Sequence, residues 1–521
     1  MHKIYSREKL MEAKQAAVSM RNITKAFGTK VVANSNVSLD IYKGEILALL
    51  GENGSGKTTL MNMLSGIYYP DSGQIFINGK EAVIRSPKDA YDLHIGMVHQ
   101  HFKLVDVLTA AENIVLGMEG RLNLKEASKR IKDICDRYGF EVDPNRKIYD
   151  MSVSEKQTVE IVKVLYRGAD ILILDEPTAV LTPQETQKLF NVLRNMRDDG
   201  KAIVIITHKM HEVESLSDRV AVLRHGEYIG DMLTADTNAQ EMTEMMVGRS
   251  VSLNIERPVP VNPKKRIEVK NLTVRNEDGI LKLDDVSFVA NSGEILGIAG
   301  ISGCGQKELL EAIAGLQPAE SGSITYVEDD GTAEELLGKD PLKIADLGVT
   351  LSFVPEDRLG MGLVGNMDLT NNMMLRSFRN GHTMFTDREA PKKLAKEVVD
   401  ELEVVTPSIE TPVRRLSGGN VQKILVGREI ASAPTVLLTA YAVRGLDINS
   451  SYTIYNLINQ QKKEGVAVIF VGEDLDVLLE LSDRILVLCG GKVSGIIDGR
   501  TADKNEVGML MTRVGGSKDG E

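Results

Sequence analysis

The sequence contains no tryptophan, only three cysteines, and no apolar run of membrane-spanning length. Cys135, Cys304 and Cys489 are scattered and include no C-x-x-C pair, so we expect buried thiols rather than a zinc site or a disulfide framework. Apolar stretches such as "EILALLG" and "AIVIIT" are far shorter than the roughly 20 residues of a membrane helix. The charged N-terminus lacks the apolar segment of a secretory signal, which predicts a cytoplasmic chain.

Basic residues are also fewer than acidic ones, since the chain has 62 Lys and Arg residues and 74 Asp and Glu residues. The resulting net charge of -12 argues against a nucleic-acid backbone as the main partner. At 521 residues the chain exceeds what one hydrophobic core usually supports, so we expect two or more domains.

The chain contains an internal repeat. The stretch "KGEILALLGENGSGKTTLMNMLSG" resembles "SGEILGIAGISGCGQKELLEAIAG", in which Gly293 lies 249 positions after Gly44. Further along, "MSVSEKQTVEIVKVL" matches "LSGGNVQKILVGREI", and "LSDRVAVLRHG" matches "LSDRILVLCGG", both with an offset of 265. A constant offset over this span predicts two copies of one architecture.

The Pro-containing stretch "RSVSLNIERPVPVNPKKR" interrupts the repeat and marks a boundary. We therefore predict a first domain over 16–249, a linker over 250–265, a second domain over 266–512 and a disordered tail over 513–521. In both halves, apolar runs such as "ILILD" alternate with helix-like stretches, which predicts an α/β fold with a mainly parallel sheet. Residues 121–139 have the pattern of an amphipathic helix within a helical insertion.

The motif "GENGSGKT", from Gly51 to Thr58, fits the phosphate-binding pattern G-x-x-x-x-G-K-[ST] between an apolar run and a helix-like stretch. Glycines let backbone N–H groups surround the phosphates, Lys57 neutralises phosphate oxygens, and the Thr58 hydroxyl can ligate Mg²⁺. The motif predicts nucleoside triphosphate binding and leaves the reaction open.

A second element, "ILILDEPT", places Asp175 and Glu176 at the end of a predicted buried strand. The first carboxylate can support Mg²⁺, and the second can polarise an attacking water. A merely solvated strand end is the alternative, and the upstream phosphate-binding loop disfavours it.

Together with Gln100 in "VHQH", the signature-like stretches and His208 in "IITHK", these motifs occur in the order found in the ATP-binding subunits of ABC transporters. The chain resembles that family over nearly its whole length, twice. The resemblance implies two tandem ABC-type P-loop domains, each with a mainly parallel sheet, antiparallel strands and a helical subdomain.

The resemblance also implies the residue roles. Phe27 would stack on adenine, Glu176 would be the general base, and His208 would contact the γ-phosphate. Gln100 would sense Mg²⁺ and the γ-phosphate, while Thr58, Gln100 and Asp175 would surround the metal. The implied ATP contacts are Gly51, Glu52, Asn53, Gly54, Ser55, Gly56, Lys57, Thr58 and Thr59 in the first loop, and Ser417, Gly418, Gly419 and Asn420 in the second signature.

In this family each ATP lies between the P-loop of one domain and the signature of the other. The first half has an intact P-loop, but Val153 and Ser154 replace two signature glycines, whereas the second half has an intact "LSGGN". The resemblance therefore implies one competent site. The other site carries the replacements Gln306, Lys307, Glu356, Ala440, Tyr441 and Glu473, where the first half has Lys57, Thr58, Gln100, Asp175, Glu176 and His208. We expect this degenerate site to hydrolyse ATP poorly.

Two fused domains with one degenerate P-loop resemble the energy subunit of ABC importers for nucleosides or for simple sugars such as ribose, galactose and xylose. The stretch "HQHF", with His101 and Phe102 after Gln100, is more similar to the nucleoside branch. This resemblance implies two membrane permease subunits and an external solute-binding protein as partners, with the chain peripheral at the cytoplasmic face of the cell membrane.

Other classes fit the sequence less well. A sugar importer is the main alternative. An ABC-type translation-factor ATPase would carry a long charged helical linker and two complete sites, and a DNA-repair ABC ATPase would carry zinc-ligand cysteine pairs. A purely regulatory nucleotide-binding protein would not require Glu176 and His208.

Overall fold

A computed structural model describes residues 15–28, 31–100, 102–118, 123–179, 181–207, 209–248, 255–276, 278–301, 303–378, 387–472 and 474–512. The chain divides into two compact units, residues 1–252 and 253–521. The predicted tail, 513–521, lies outside the described residues. Within the described ranges, none of the helices combines the length and the apolar character that a membrane span requires.

The first unit contains a six-stranded sheet and a four-stranded sheet. Its strands are β1 (Ala16–Phe27), β2 (Val31–Tyr42), β3 (Glu45–Leu50), β4 (Ser72–Ile77), β5 (Lys80–Ala82), β6 (Ile95–Val98), β7 (Ile171–Asp175), β8 (Ala202–Ile206), β9 (Arg219–Arg224) and β10 (Glu227–Leu233). The larger sheet has the order β10-β9-β3-β8-β7-β6 and is parallel except for the β9–β10 pair. The smaller sheet, β2-β1-β4-β5, is antiparallel.

The central strands of the larger sheet are buried along their whole length, as in β3, β7 and β8. Continuous apolar sequences such as "EILALL" produce this pattern, because helices cover both faces of a parallel sheet. The carboxyl ends of parallel strands meet at one edge, where ligands bind in open α/β sheets. The segments after Leu50, Asp175 and Ile206 therefore lie at that edge.

Some helices of the first unit cover this sheet, and others pack together in a separate cluster. They are α1 (Lys57–Leu64), α2 (Pro87–Asp92), α3 (Ala110–Val115), α4 (Leu124–Tyr138), α5 (Val153–Tyr166), α6 (Pro183–Asp198), α7 (Met210–Leu216) and α8 (Ala239–Val247), with short 3-10 helices at Ile148–Asp150 and Thr234–Asp236. Helix α4 confirms the amphipathic helix predicted within 121–139. Its buried residues, Ala127, Ile131, Cys135 and Tyr138, recur every three or four positions and pack in a core shared with α3 and α5.

The second unit repeats this topology. Its strands are β11 (Lys265–Arg275), β12 (Leu281–Asn291), β13 (Ile295–Gly300), β14 (Ser321–Val327), β15 (Ala333–Glu335), β16 (Leu351–Val354), β17 (Val436–Ala440), β18 (Ala467–Val471), β19 (Arg484–Cys489) and β20 (Lys492–Asp498). They form a six-stranded sheet in the order β16-β17-β18-β13-β19-β20 and a four-stranded sheet in the order β12-β11-β14-β15. The predicted α/β architecture is confirmed in both halves.

The helices of the second unit occupy equivalent places in the chain order. They are α9 (Gln306–Ile313), α10 (Pro341–Asp346), α11 (Leu369–Ser377), α12 (Glu389–Glu401), α13 (Gly418–Ala431), α14 (Ile448–Lys463), α15 (Leu475–Leu481) and α16 (Lys504–Thr512), with a π-helix at Arg358–Gly362 and a 3-10 helix at Val413–Arg415. The expectation of three buried thiols is right for Cys135 and Cys489. It is wrong for Cys304, which is only half-buried because it lies in the turn before α9.

Part of the predicted linker packs against the second unit. Ile255 is buried in that unit's core. The Arg257 guanidinium donates hydrogen bonds to the carbonyls of Leu479, Ser482 and Gly499 at 2.7, 2.8 and 2.9 Å. Three backbone acceptors fix this side chain, so residues 255–257 form part of the second unit's surface.

Candidate active site

The loop between β3 and α1 packs so tightly that two of its positions require glycine. A Cβ atom at Gly51 would lie 2.2 Å from the Leu223 carbonyl oxygen, and one at Gly56 would lie 2.2 Å from the Ala33 carbonyl oxygen. Gly56 also has a φ of 94°, which disfavours residues with a side chain. The glycines thus let the loop turn directly from the strand into the N-terminus of α1, where backbone N–H groups favour an anion.

Lys57 lies inside this loop rather than on its surface. Its Nζ donates to the carbonyls of Gly51 and Glu52 at 2.6 and 2.9 Å. Burial lowers the pKa of the Lys57 ammonium, and the carboxylates of Glu176 and Asp175 act against that effect. The loop therefore holds one cation at its centre, which can exchange carbonyl contacts for phosphate oxygens.

Thr58 and Asp175 provide two oxygen groups beside this cation. The Thr58 hydroxyl donates to an Asp175 carboxylate oxygen at 3.3 Å. Burial, and then the Glu176 carboxylate, raise the pKa of Asp175 to about 6, whereas Thr58 and Lys57 lower it. Oxygen ligands of this kind suit Mg²⁺, which usually binds one or two carboxylates together with substrate phosphates. Gln100 follows β6 at the same sheet edge and is exposed.

The raised pKa of Asp175 implies that this carboxylate makes the free energy of unfolding depend on pH. The folded chain binds a proton at this carboxylate more tightly than the unfolded chain, whose pKa is near 3.8. The ionised carboxylate therefore destabilises the fold, with a penalty that grows between pH 4 and 6 and is complete above pH 6. We expect Asp175→Asn to stabilise the ligand-free chain at pH 7.5 by up to about 3 kcal/mol, and to abolish Mg²⁺-dependent hydrolysis.

Urea unfolding of both chains between pH 8 and pH 4.5 measures this effect. The stability difference should stay constant between pH 8 and about pH 6 and shrink as the pH falls further, because the folded parental chain then also carries a neutral group. A difference independent of pH would contradict the assignment.

Glu176 directly follows β7 in a left-handed backbone conformation, with a φ of 49°. Its N–H donates to the Ile206 carbonyl at 2.9 Å. Tyr441, at the matching position after β17, has a φ of 51° and donates its N–H to the Val471 carbonyl, also at 2.9 Å. Both units therefore contain the same turn, but only the first places a carboxylate on it.

His208 lies outside the described residues, but its neighbours form a polar network. The Lys209 N–H donates to the Thr207 hydroxyl at 3.1 Å. Glu212 accepts a hydrogen bond from the Thr178 hydroxyl at 2.5 Å and pairs with the Lys209 ammonium at 3.2 Å. The network joins the segment after β8 to the segment after Glu176. Thr178 ends the motif "ILILDEPT", but the sequence predicted no role for its hydroxyl and offered no signal for Glu212.

Phe27 ends β1 as an exposed aromatic ring. It packs edge to face against Tyr68, with ring centroids 5.1 Å apart, and the Lys25 ammonium lies 5.7 Å from its centroid. Tyr68 was missed by sequence reasoning because it lies beyond α1, in a stretch without a motif. The pair forms an exposed aromatic surface.

The first signature begins α5 with a reciprocal capping box. Ser152 accepts a hydrogen bond from the Glu155 N–H at 3.3 Å, and Glu155 accepts one from the Ser152 N–H at 2.7 Å. Glu155 also pairs with Arg146 at 2.5 Å. A carboxylate thus already occupies the N-terminus of this helix and disfavours a second anion there.

The second signature begins α13 without a carboxylate. The Ser417 hydroxyl accepts hydrogen bonds from the Asn420 N–H at 3.4 Å and from its side-chain amide at 2.9 Å. Ser417 and Gly418 are exposed, whereas Gly419 and Asn420 are half-buried. No charged residue belongs to the first turn of this helix, and the Arg358 guanidinium donates to the Gly418 carbonyl at 3.4 Å. The second signature is therefore better suited than the first to a phosphate.

The second P-loop keeps the turn and loses the cation. Gln306, which matches Lys57, is buried and donates from Nε2 to the Ile301 carbonyl at 3.1 Å, much as Lys57 donates to Glu52. Gly305 has a φ of 101°, close to that of Gly56. The amide therefore replaces the hydrogen bond within the loop but supplies no positive charge.

The remaining catalytic positions of the second unit are also changed. Lys307 stands at the Thr58 position, and its side chain points to Glu311, with a nitrogen–oxygen distance of 3.7 Å. Ala440 ends β17 and Tyr441 follows it, where the first unit has two carboxylates. Glu473, which matches His208, lies outside the described residues.

A glycine-rich loop around a buried lysine, with a carboxylate pair at the end of another parallel strand of the same sheet, defines a P-loop nucleoside triphosphatase. A family model described as "ABC transporter" matches residues 34–179 and 283–439, so the chain belongs to the ABC transporter family, whose ATPase domains bind ATP. Both halves contain the family's domain, and the chain is an ATPase of that type.

Three curated relatives cover almost the whole chain. The chain is 42% identical to the nucleoside import ATP-binding protein NupA of Lactococcus lactis, over 97% of this chain and 99% of the relative. It is 42% identical to the guanosine import ATP-binding protein NupO of Bacillus subtilis, over 95% and 97% of the two chains. It is 38% identical to the ribose import ATP-binding protein RbsA 2 of Escherichia coli, over 95% and 97%.

A solved structure shows the same two-domain fold. An archaeal ribosome recycling factor, crystallised with a ribosomal stalk protein, matches 89% of this chain over 87% of its own length. The TM-score is 0.59 and the identity is 17%, so the match concerns the fold alone.

Proposed function

We propose that this chain hydrolyses ATP to drive solute import, as the energy-coupling subunit of an ABC importer for nucleosides. The observation that carries the proposal is the meeting of Lys57, Thr58, Asp175 and Glu176 at one sheet edge. Such a constellation is absent from the matching positions of the second unit's described residues, where Gln306, Lys307, Ala440 and Tyr441 stand. One site therefore turns over ATP.

In the proposed site each residue has its own role. The loop N–H groups and Lys57 bind and orient the phosphates, and Phe27 stacks on the base. Thr58, Asp175 and Gln100 would hold Mg²⁺, which would supply positive charge to the phosphates. Glu176 accepts the proton of the attacking water, and His208 donates to the γ-phosphate.

We further propose that Ser417, Gly418, Gly419 and Asn420 contact the same ATP as Lys57. The support is the distribution of intact motifs, since the intact P-loop lies in the first half and the intact signature lies in the second. An ATP bound by the first P-loop and the second signature together would contact both intact motifs of the chain.

Double mutation tests the shared site. Lys57→Ala and Ser417→Arg should each remove most turnover, and the double variant should be little worse than either, because groups acting on one ATP are non-additive. Steady-state ATPase rates of the three variants measure this. Losses that multiply would refute a shared site.

The proposal includes two permease subunits as membrane partners, with an external solute-binding protein beyond them, and a peripheral position at the cytoplasmic face of the membrane. The printed functions of the relatives support this arrangement. Purification in mild detergent should recover the chain with permeases, and Lys57→Ala should be recovered equally well because Lys57 is buried within its loop. Recovery only as a free chain, with permeases present, would contradict the proposal.

The solute is proposed to be a nucleoside, on the strength of "HQHF" and of the two nucleoside importers among the relatives. A strain lacking this chain should lose uptake of labelled uridine or adenosine, and Glu176→Gln should fail to restore it. The ribose relative supports the second candidate, a simple-sugar importer. Loss of ribose uptake with normal nucleoside uptake would favour that candidate.

A further inference from the structure

Helix α5 makes a buried contact with the segment that carries the general base. Gln157 lies one turn into the helix and is buried. Its side-chain Nε2 donates a hydrogen bond to the carbonyl oxygen of Pro177, the residue that follows Glu176. The contact spans 20 residues of sequence, so no motif predicts it.

Hydrogen bonds on both sides of Glu176 hold its backbone. A non-glycine residue with a φ of 49° is in an uncommon conformation, and a following proline restricts it further. Conformations of this kind persist only where the surroundings hold them. On the amino side the Ile206 carbonyl binds the Glu176 N–H, and on the carboxyl side Gln157 binds the Pro177 carbonyl.

The second unit provides an internal comparison. Gln422 occupies the position of Gln157, and it is equally buried in α13. Among the described residues neither its amide nitrogen nor its amide oxygen has a hydrogen-bond partner. Tyr441 nevertheless adopts the same turn, and Ala442 rather than proline follows it. The turn can therefore fold without the glutamine contact, which is made in the unit that has the base.

A second polar contact connects α5 to the segment after Gln100. Glu160, on the next turn of the helix, accepts a hydrogen bond from the Lys103 N–H at 2.6 Å. Leu425 stands at the matching position of α13. Both buried polar contacts of α5 thus go to segments that follow proposed catalytic or metal-binding residues.

We infer that Gln157 is a positioning residue, which holds the Glu176 carboxylate in place for proton abstraction by fixing the Pro177 carbonyl. The inference rests on the proposed function, in which Glu176 is the base. Gln157 itself touches neither ATP nor water in this scheme. Its removal should slow the chemical step, since small misplacements of a catalytic group can cost up to about 100-fold in rate.

The test compares Gln157→Met with Gln422→Met in the full chain, because methionine keeps the size of glutamine and removes the amide. We expect Gln157→Met to lower kcat by about 10-fold or more, with the Kd for ATP changed less than about twofold. Gln422→Met should match the parental chain in kcat, Kd and unfolding temperature. Rapid-quench ATPase assays, equilibrium ATP binding and thermal unfolding supply the three measurements.

A second variant, Gln157→Glu, keeps a polar group and guards against a folding defect. Its ionised carboxylate cannot donate to Pro177, whereas its protonated form can. Because position 157 is buried, the pKa of the introduced carboxyl should be raised, so kcat relative to the parental chain should recover as the pH falls from 8 to 6. An unchanged kcat in both variants overturns the inference. So does a parallel loss of kcat, ATP affinity and unfolding temperature, which would indicate a purely structural role. A parental chain that binds ATP without hydrolysing it overturns the proposed function, and the inference with it.

Discussion

Replacing Glu176 by glutamine should stop ATP hydrolysis while leaving ATP bound. General base catalysis typically contributes about 100-fold to 10,000-fold in rate, so we expect kcat to fall by at least about 100-fold. Glutamine has the shape of glutamate but cannot accept the water's proton. The backbone hydrogen bond from the Glu176 N–H to the Ile206 carbonyl does not depend on the side chain, so the turn should be preserved.

The matched control is Tyr441→Phe, at the same turn of the second unit. This substitution removes a hydroxyl from a position without a carboxylate, so the rate should stay within about twofold of the parental value. Single-turnover assays on the complex with its permeases would count the ATP cleaved per chain. A Glu176→Gln variant that still hydrolyses at nearly the parental rate would show that the degenerate site is active.

Sequence alone predicts the features that depend on contiguous residues. The run "EILALL" and the glycines that follow it predict a buried strand and a tight turn, and the structure forms both as β3 and the loop to α1. The offset of 265 predicts that Tyr441 is the counterpart of Glu176 in the second unit. The two residues share a φ near 50° and the same type of backbone hydrogen bond. Local patterning decides these elements because neighbouring residues determine both burial and turn geometry.

Contacts between distant segments could not be predicted in this way. The contact of Phe27 with Tyr68 and that of Gln157 with Pro177 depend on how helices and loops pack over the sheet. No pattern of neighbouring residues predicts that Gln157 contacts the turn that contains Glu176. Likewise, the hydrogen bonds from Arg257, within the predicted linker, to three carbonyls of the second unit join segments 222 to 242 residues apart.

The two P-loops separate the folding role of a residue from its catalytic role. Gln306 makes the loop hydrogen bond that Lys57 makes, so either side chain can complete the turn. Only Lys57 has carboxylates nearby, since Asp175 and Glu176 favour its charged form, while Ala440 and Tyr441 stand at the matching positions. The second loop has therefore kept what the fold needs and lost what phosphate binding needs.

Exchanging these two residues should weaken ATP binding in one variant and lower stability in the other. In Lys57→Gln the amide can bond to the Glu52 carbonyl, as Gln306 does to Ile301, so the unfolding temperature should change little. The variant loses a buried charged contact to phosphate, worth about 3 kcal/mol, and its affinity for ATP should fall by roughly 100-fold.

In Gln306→Lys a cation enters a buried position without the neighbouring carboxylates that Lys57 has. An uncompensated buried charge typically costs about 3 to 5 kcal/mol, so the unfolding temperature of this variant should fall. Hydrolysis at the second site should not return, because Lys307, Ala440 and Tyr441 remain and the constellation works as a unit. Thermal unfolding and equilibrium ATP binding of both variants make the comparison. A stable Gln306→Lys chain that hydrolyses ATP after Glu176→Gln has been introduced as well would show that one lysine suffices to restore the site.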